Sequence, residues 1–153
     1  MNMIDEAGSL LRVLSADLGV ELEFNASGAC GLRIDDALDI TLRLELSPPG
    51  LLMYASAGAL PDGPVEWLLR NLLEANHLWD QTRGSTWSLA GDEVILSRFL
   101  PLPGLEAATL STALADFVEV TLAGQRSLQP TGASRGSGAQ PAGAGLPPGA
   151  IAP

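Results

Sequence analysis

Residues 40–46 read Ile40-Thr41-Leu42-Arg43-Leu44-Glu45-Leu46. Apolar side chains fall at every second position, with polar ones between them. That period of two belongs to a β-strand, whose successive side chains point to opposite faces. The split into apolar and polar sides predicts an antiparallel strand with one wet face. Working outward, Cys30, Leu32 and Ile34 alternate with Gly31, Arg33 and Asp35, and Asp35-Asp36-Ala37-Leu38 is the hairpin connection between the two strands. Ser47-Pro48-Pro49-Gly50 is the next turn, and Leu51 to Ala57 the next strand.

Helices flank this group. Ile4, Leu11, Leu14 and Leu18 form one apolar stripe, widened by Leu10 and Val13, which predicts a helix over Met3 to Leu18. Asp5 and Glu6 suit the positive end of its dipole, and Gly19 is its stop. Val20 to Phe24 is a short extended stretch, ending in the turn Asn25-Ala26-Ser27-Gly28. A second helix starts at Pro64, after Asp62-Gly63, and is broken at Arg83-Gly84. Trp87 and Leu89 then alternate with Thr86 and Ser88 in a strand. Ala90-Gly91-Asp92 turns the chain into another, Val94 to Leu100, closed by Pro101. A last helix runs from about Leu105 to Ala123. The order α-β-β-β-α-β-β-α, with short turns between strands, predicts an α+β fold: an antiparallel sheet covered by helices.

The chain has 153 residues with 18 Asp+Glu against eight basic residues, all Arg, for a formal charge of −10. Such a surface repels phosphate backbones and anionic lipid, so neither nucleic-acid binding nor membrane docking is expected. No apolar run reaches the roughly 18–20 residues needed to cross a bilayer. The acidic start MNMIDEAGSLL does not read as an export signal, and the lone thiol fits a reducing compartment, so a cytoplasmic location is expected. Composition shifts near Arg126. Ser127 to Pro153 hold six Gly, five Pro, one Arg and no acid or aromatic residue. They cannot bury enough apolar area to offset ordering entropy, so we divide the chain into a folded domain, 1–126, and a disordered tail, 127–153. The domain then carries seven Arg against 18 acids, a net charge of −11.

Few residues offer chemistry. One Cys and one His exclude a disulfide within the chain, a Cys-based zinc site and a multi-His metal site. His77 has Asp80 three residues on, the spacing of an orienting carboxylate, but no nucleophile is indicated; a residue near a helix C-terminus or at an interface is the simpler reading. Asp35, Asp36 and Asp39 could hold a hard cation, but the EF-hand pattern is absent and a solvated hairpin turn is the simpler reading. Gly58-Ala59-Leu60-Pro61-Asp62-Gly63 lacks the residues of a phosphate loop. Cys30 lies on the apolar side of its strand, with no adjacent base to activate it. No catalytic residue, metal or cofactor is expected.

Apolar excess is more informative. The second helix carries Trp67, Leu68, Leu69, Leu72, Leu73, Leu78 and Trp79 on nearly all sides. A helix apolar all round is covered on both sides, and in a domain of this size one cover is a second subunit. A homodimer is expected, with aromatic residues at its interface.

The element order and several strings resemble the class I type III secretion chaperones of the Tir-chaperone (CesT/SycE-like) family. The strings are Cys30-Gly-Leu-Arg-Ile-Asp35, Ile40-Thr-Leu-Arg-Leu44, Leu51-Leu-Met-Tyr-Ala55, Leu69-Arg-Asn-Leu-Leu-Glu-Ala-Asn76 and Val94-Ile-Leu-Ser-Arg-Phe-Leu-Pro101, followed by a final helix with Phe117-Val118. They span about residues 3–125; the tail and the absence of Lys depart from the pattern.

The resemblance implies a non-enzymatic chaperone. It would bind an effector N-terminal segment in extended form, keep it soluble and deliver it to the secretion ATPase. It implies a dimer through the second helix and the following strand, hence Trp67, Asn71, Leu78, Trp79, Trp87 and Leu89. It also implies effector contacts on the first helix and the sheet, hence Leu10, Leu11, Leu14, Leu32, Ile34, Leu42 and Leu44, with strand addition at an edge. A regulator or adaptor that sequesters one protein partner is the alternative. A small enzyme built on His77/Asp80 or the three Asp is the third.

Overall fold

The computed structural model describes residues 2–129. The elements are α1 (Met3–Leu18), β1 (Ala29–Ile34), β2 (Leu38–Leu46), β3 (Pro49–Ala59), α2 (Glu66–Leu78), β4 (Thr86–Ala90), β5 (Glu93–Pro101) and α3 (Ala107–Leu128). This is the expected α+β order. The strands form one antiparallel sheet in the order β1-β2-β3-β5-β4, so β1 and β4 are its edges.

Local chemistry accounts for the boundaries. The Asn2 side chain accepts the Asp5 N–H at 2.8 Å and opens α1. Gly19, at φ 71°, closes it, its N–H donating to the Ser15 carbonyl. Val20 to Phe24 forms no strand; the Leu22 N–H donates to Ser15 Oγ at 3.2 Å, and the buried Leu22 side chain anchors the loop. Asp35 and Asp36 both take positive φ in the β1–β2 turn, a conformation Asp tolerates because its short side chain can bond locally. The second helix starts at Glu66 rather than at Pro64, because Val65 keeps a non-helical backbone. It stops at Leu78, ahead of Arg83-Gly84, because Trp79 takes a left-handed conformation at φ 64°.

One face of the sheet makes the core. Register places Cys30, Leu42 and Met53 in one row, and Ala55, Leu96 and Trp87 in another. These side chains are buried, along with Leu32, Ile40, Leu51, Val94 and Leu100. α3 lies over β3 and α1 packs on α3 and β2, while α2 touches mainly β4. α3 runs two residues past the expected boundary at Arg126, to Leu128. Leu128 is buried beside Gly58, where β3 shifts register against β5. Ordered helix therefore continues past residue 126; from residue 130 the expected tail lies outside the described residues.

Candidate protein-binding surfaces

α2 is covered on one side only. Leu68 and Ala75 are buried, whereas Trp67 is 54 % exposed, Leu78 75 % and Trp79 59 %. Trp67, Asn71 and Leu78 recur at spacings of four and seven, so they share one helix stripe. Asn71 is exposed with them. Leu89 on β4 and Leu73 on α2 are exposed as well. Between α2 and α3 lies a groove of about 210 Å³, whose walls include Trp67, Leu72, Trp87, Val120 and Gly124.

Trp87 does not belong to the exposed set. It is buried on the helix-covered face, against Gly124 of α3. The indole, expected at a dimer contact, packs in the core of the single copy. Leu89 has the same strand parity but lies toward the end of β4, where it stays exposed.

Five of the residues assigned to a client are also core. Leu10, Leu11, Leu14, Leu32 and Leu42 are all buried, because the stripe of α1 and the apolar parity of β1 and β2 face each other and α3. Ile34 and Leu44 are half-buried against the same cluster. The surface these elements leave open is different. On α1 it holds Ile4, Val13 and Leu18. On the bare face of the sheet, Ala29, Arg43, Leu52 and Phe99 lie in one cross-strand row and Gly31, Thr41, Tyr54 and Ser97 in the next. Phe99 is exposed, and Leu52 and Tyr54 are half-buried.

The two edges differ. At β4, the Trp87 N–H donates to Asn76 Oδ1 at 2.8 Å and the Asn76 amide donates to the Trp87 carbonyl at 3.1 Å. At β1, the Leu44 N–H donates to the Gly28 carbonyl, so even-numbered residues of β1 face β2. Ala29, Gly31 and Arg33 therefore direct their main-chain groups outward. Those of Ala29 are taken by Asn25.

The chemical candidates resolve plainly. His77 and Asp80 are exposed at the end of α2. Arg33 bonds Asp39 at 2.9 and 3.1 Å and the Asp36 carbonyl at 3.0 Å, so a guanidinium occupies the acidic hairpin. Among the described residues, no three His, Cys, Asp or Glu side chains are grouped to hold a metal ion. Burial pushes the Cys30 thiol up, against a smaller pull from a backbone bond with Glu23. Arg83 on the α2–β4 connection bridges Glu119 at 2.6 Å and Asp116 at 3.2 Å, and these bonds raise its pKa further. They tie that connection to α3. No described helix is long and apolar enough to cross a membrane.

Comparison with known proteins matches this geometry. The family model for Tir chaperone protein (CesT) family matches residues 9–121. No curated protein matches the chain. Among solved structures, the chain is similar to one in the ExsC–ExsE complex, at 21 % identity, covering 84 % of this chain and 97 % of that one, with a TM-score of 0.72. A chain of the HopA1–SchA chaperone–effector complex is similar at 22 % identity, covering 82 % and 98 %, with a TM-score of 0.69. So is one in the Yersinia pestis type III secretion chaperone SycH complexed with a stable YscM2 fragment, at 22 % identity, 76 % and 97 % coverage and a TM-score of 0.63. At these identities the likeness establishes the shared fold.

Proposed function

The chain belongs to the Tir chaperone protein (CesT) family, and from that premise we propose that it is a type III secretion chaperone that works as a homodimer. It binds the N-terminal segment of a secreted effector in extended form, keeps it soluble and hands it to the secretion ATPase. It breaks and makes no covalent bond. The observation that carries this reading, beside the family, is the pairing of a complete internal core with a large uncovered apolar surface. Trp67, Leu73, Leu78, Trp79 and Leu89 stand exposed around α2 and β4, and large apolar patches mark contact sites.

Magnitudes favour contact through several of these residues at once. Burying one large apolar side chain fully is worth about 1.5–3 kcal/mol. Association costs roughly 4–15 kcal/mol before any surplus appears. One tryptophan cannot meet that cost; a cluster of five can. The dimer contact is therefore assigned to Trp67, Asn71, Leu78, Trp79 and Leu89, with Leu73 beside them. The second copy covers α2 from the side that its own sheet leaves bare.

The client needs other surfaces. Extended polypeptides gain main-chain bonds along a sheet edge and side-chain pockets at alternate residues. The outward groups of Gly31 and Arg33 on β1 supply the edge. The exposed side of α1 and the bare sheet face around Leu52, Tyr54 and Phe99 supply apolar contact. The net charge of −11 over residues 1–126 favours a basic client and keeps a sticky surface soluble. A cytoplasmic location follows from this role.

Co-expression with the N-terminal segments of secreted effectors tests the reading. A stable complex is expected, with the client free of tertiary structure of its own. A chain that instead holds a folded regulatory protein, and ignores effector segments, is an adaptor.

A further inference from the structure

The Asn76 side chain does at β4 what a neighbouring strand would do. Trp87 pairs with Leu96 of β5, yet both its N–H and its carbonyl bond Asn76. In an antiparallel ladder only the residues of non-hydrogen-bonded pairs send both groups outward, so Trp87 presents its donor and acceptor to the free edge. One carboxamide satisfies the two together. The two-residue spacing makes Leu89 the next outward residue, and on the other side the Ser85 N–H is already committed to the Thr82 carbonyl. A strand arriving at β4 would find the groups of Leu89 alone. At β1 it would find those of Gly31 and Arg33 in succession, and a Cβ built on Gly31 meets nothing within 4 Å.

We propose that Asn76 is a positioning residue that closes the β4 edge to strand addition and leaves β1 as the working edge of the sheet. Unpaired edges recruit other chains, and proteins block them by covering their main-chain groups. Here the block leaves Leu89, Trp79 and Trp67 free to meet a second copy through side chains, without main-chain pairing across β4. The nature of the guest strand at β1 rests on the chaperone reading; the closure of β4 does not.

The test uses the chain without client. Ser88 lies between the outward residues Trp87 and Leu89, so two β4 edges pairing symmetrically would place the two copies of Ser88 opposite each other. That is the close, non-hydrogen-bonded position, where Cα atoms lie about 4.5 Å apart and a disulfide can form. The native thiol Cys30 is buried. A Ser88→Cys chain should give little intermolecular disulfide on mild oxidation. Adding Asn76→Ala should raise the yield about tenfold or more, the return expected for freeing one buried main-chain pair, and light scattering should show larger, concentration-dependent assemblies. Equal cross-linking with and without Asn76 overturns the proposal. Should Asn76→Ala not fold, amide exchange on the unaltered protein decides. In a sample dilute enough to be monomeric, the Trp87 amide should exchange at least about tenfold more slowly than that of Leu89; equal rates there overturn it. Failure to bind any effector segment would remove the chaperone reading and leave both results standing.

Discussion

Trp87 of β4 and Gly124 of α3 are in direct contact: a Cβ on Gly124 would stand 2.3 Å from Cη2 of the indole. The absence of a side chain at 124 is what lets the helix settle on the sheet and bury that ring. Gly124→Ala asks a rigid, enclosed indole to move. Overpacking of this kind costs about 1–3 kcal/mol, more than the improved helix propensity of Ala returns, about 1 kcal/mol. Chemical denaturation should show a net loss of stability; a gain would mean that the indole has room to shift.

Trp79 joins strain to exposure. It holds φ at 64° after the last turn of α2 while its side chain is more than half exposed. A left-handed backbone costs an L-residue roughly 1–2 kcal/mol, and an indole 59 % exposed returns little to the monomer for it. Trp79→Gly relieves the strain but adds chain entropy in the unfolded state, so stability should stay within about 1 kcal/mol of the parent. The dimer should weaken at least about tenfold, as expected for losing an aromatic interface anchor. Sedimentation at several concentrations reads the second effect; an unchanged dimer would place Trp79 outside the interface.

Leu128 anchors the last turn of α3. Truncation after Gln129 keeps the buried leucine and should leave the unfolding midpoint where it is. Truncation after Arg126 removes it and should cost about 1.5–3 kcal/mol. Identical midpoints for the two truncations would show that Leu128 packs on nothing that matters.

Gly31→Pro probes the β1 edge. The Gly31 N–H points away from β2, so proline removes no bond of the sheet, and edge strands tolerate it. The folded domain should survive with little change, while client affinity falls about tenfold, the worth of roughly one hydrogen bond. Isothermal titration with an effector segment measures it. Full affinity would mean that the client does not pair with this edge.

Much of the fold is legible in local pattern. β2 could be read because one of its faces is wet, so polarity alternates. α1 could be read because its stripe recurs at the helical period and Gly19 closes it. What the stripe touches could not be read: Leu10, Leu11 and Leu14 look the same whether they await a guest or cover their own sheet, and they cover the sheet. Trp87 and Leu89 share a parity, and only the reach of α3, through Gly124, buries one and exposes the other. The excess of apolar residues on α2 was visible, and Trp67, Leu78 and Trp79 are indeed uncovered. Asn76 carried a faint signal as a poor helix former near the end of a helix. Its bond to a backbone 11 residues on has no local signature.

The chaperone reading is decided by the mass and client state of the complex formed with an effector N-terminal segment, measured by light scattering and amide exchange on one sample. Two copies of this chain plus client are expected, with client amides protected in short extended runs and the Gly31 and Arg33 amides newly protected on β1. A single copy that binds no effector segment, or a client that stays folded as a globule when bound, would contradict it.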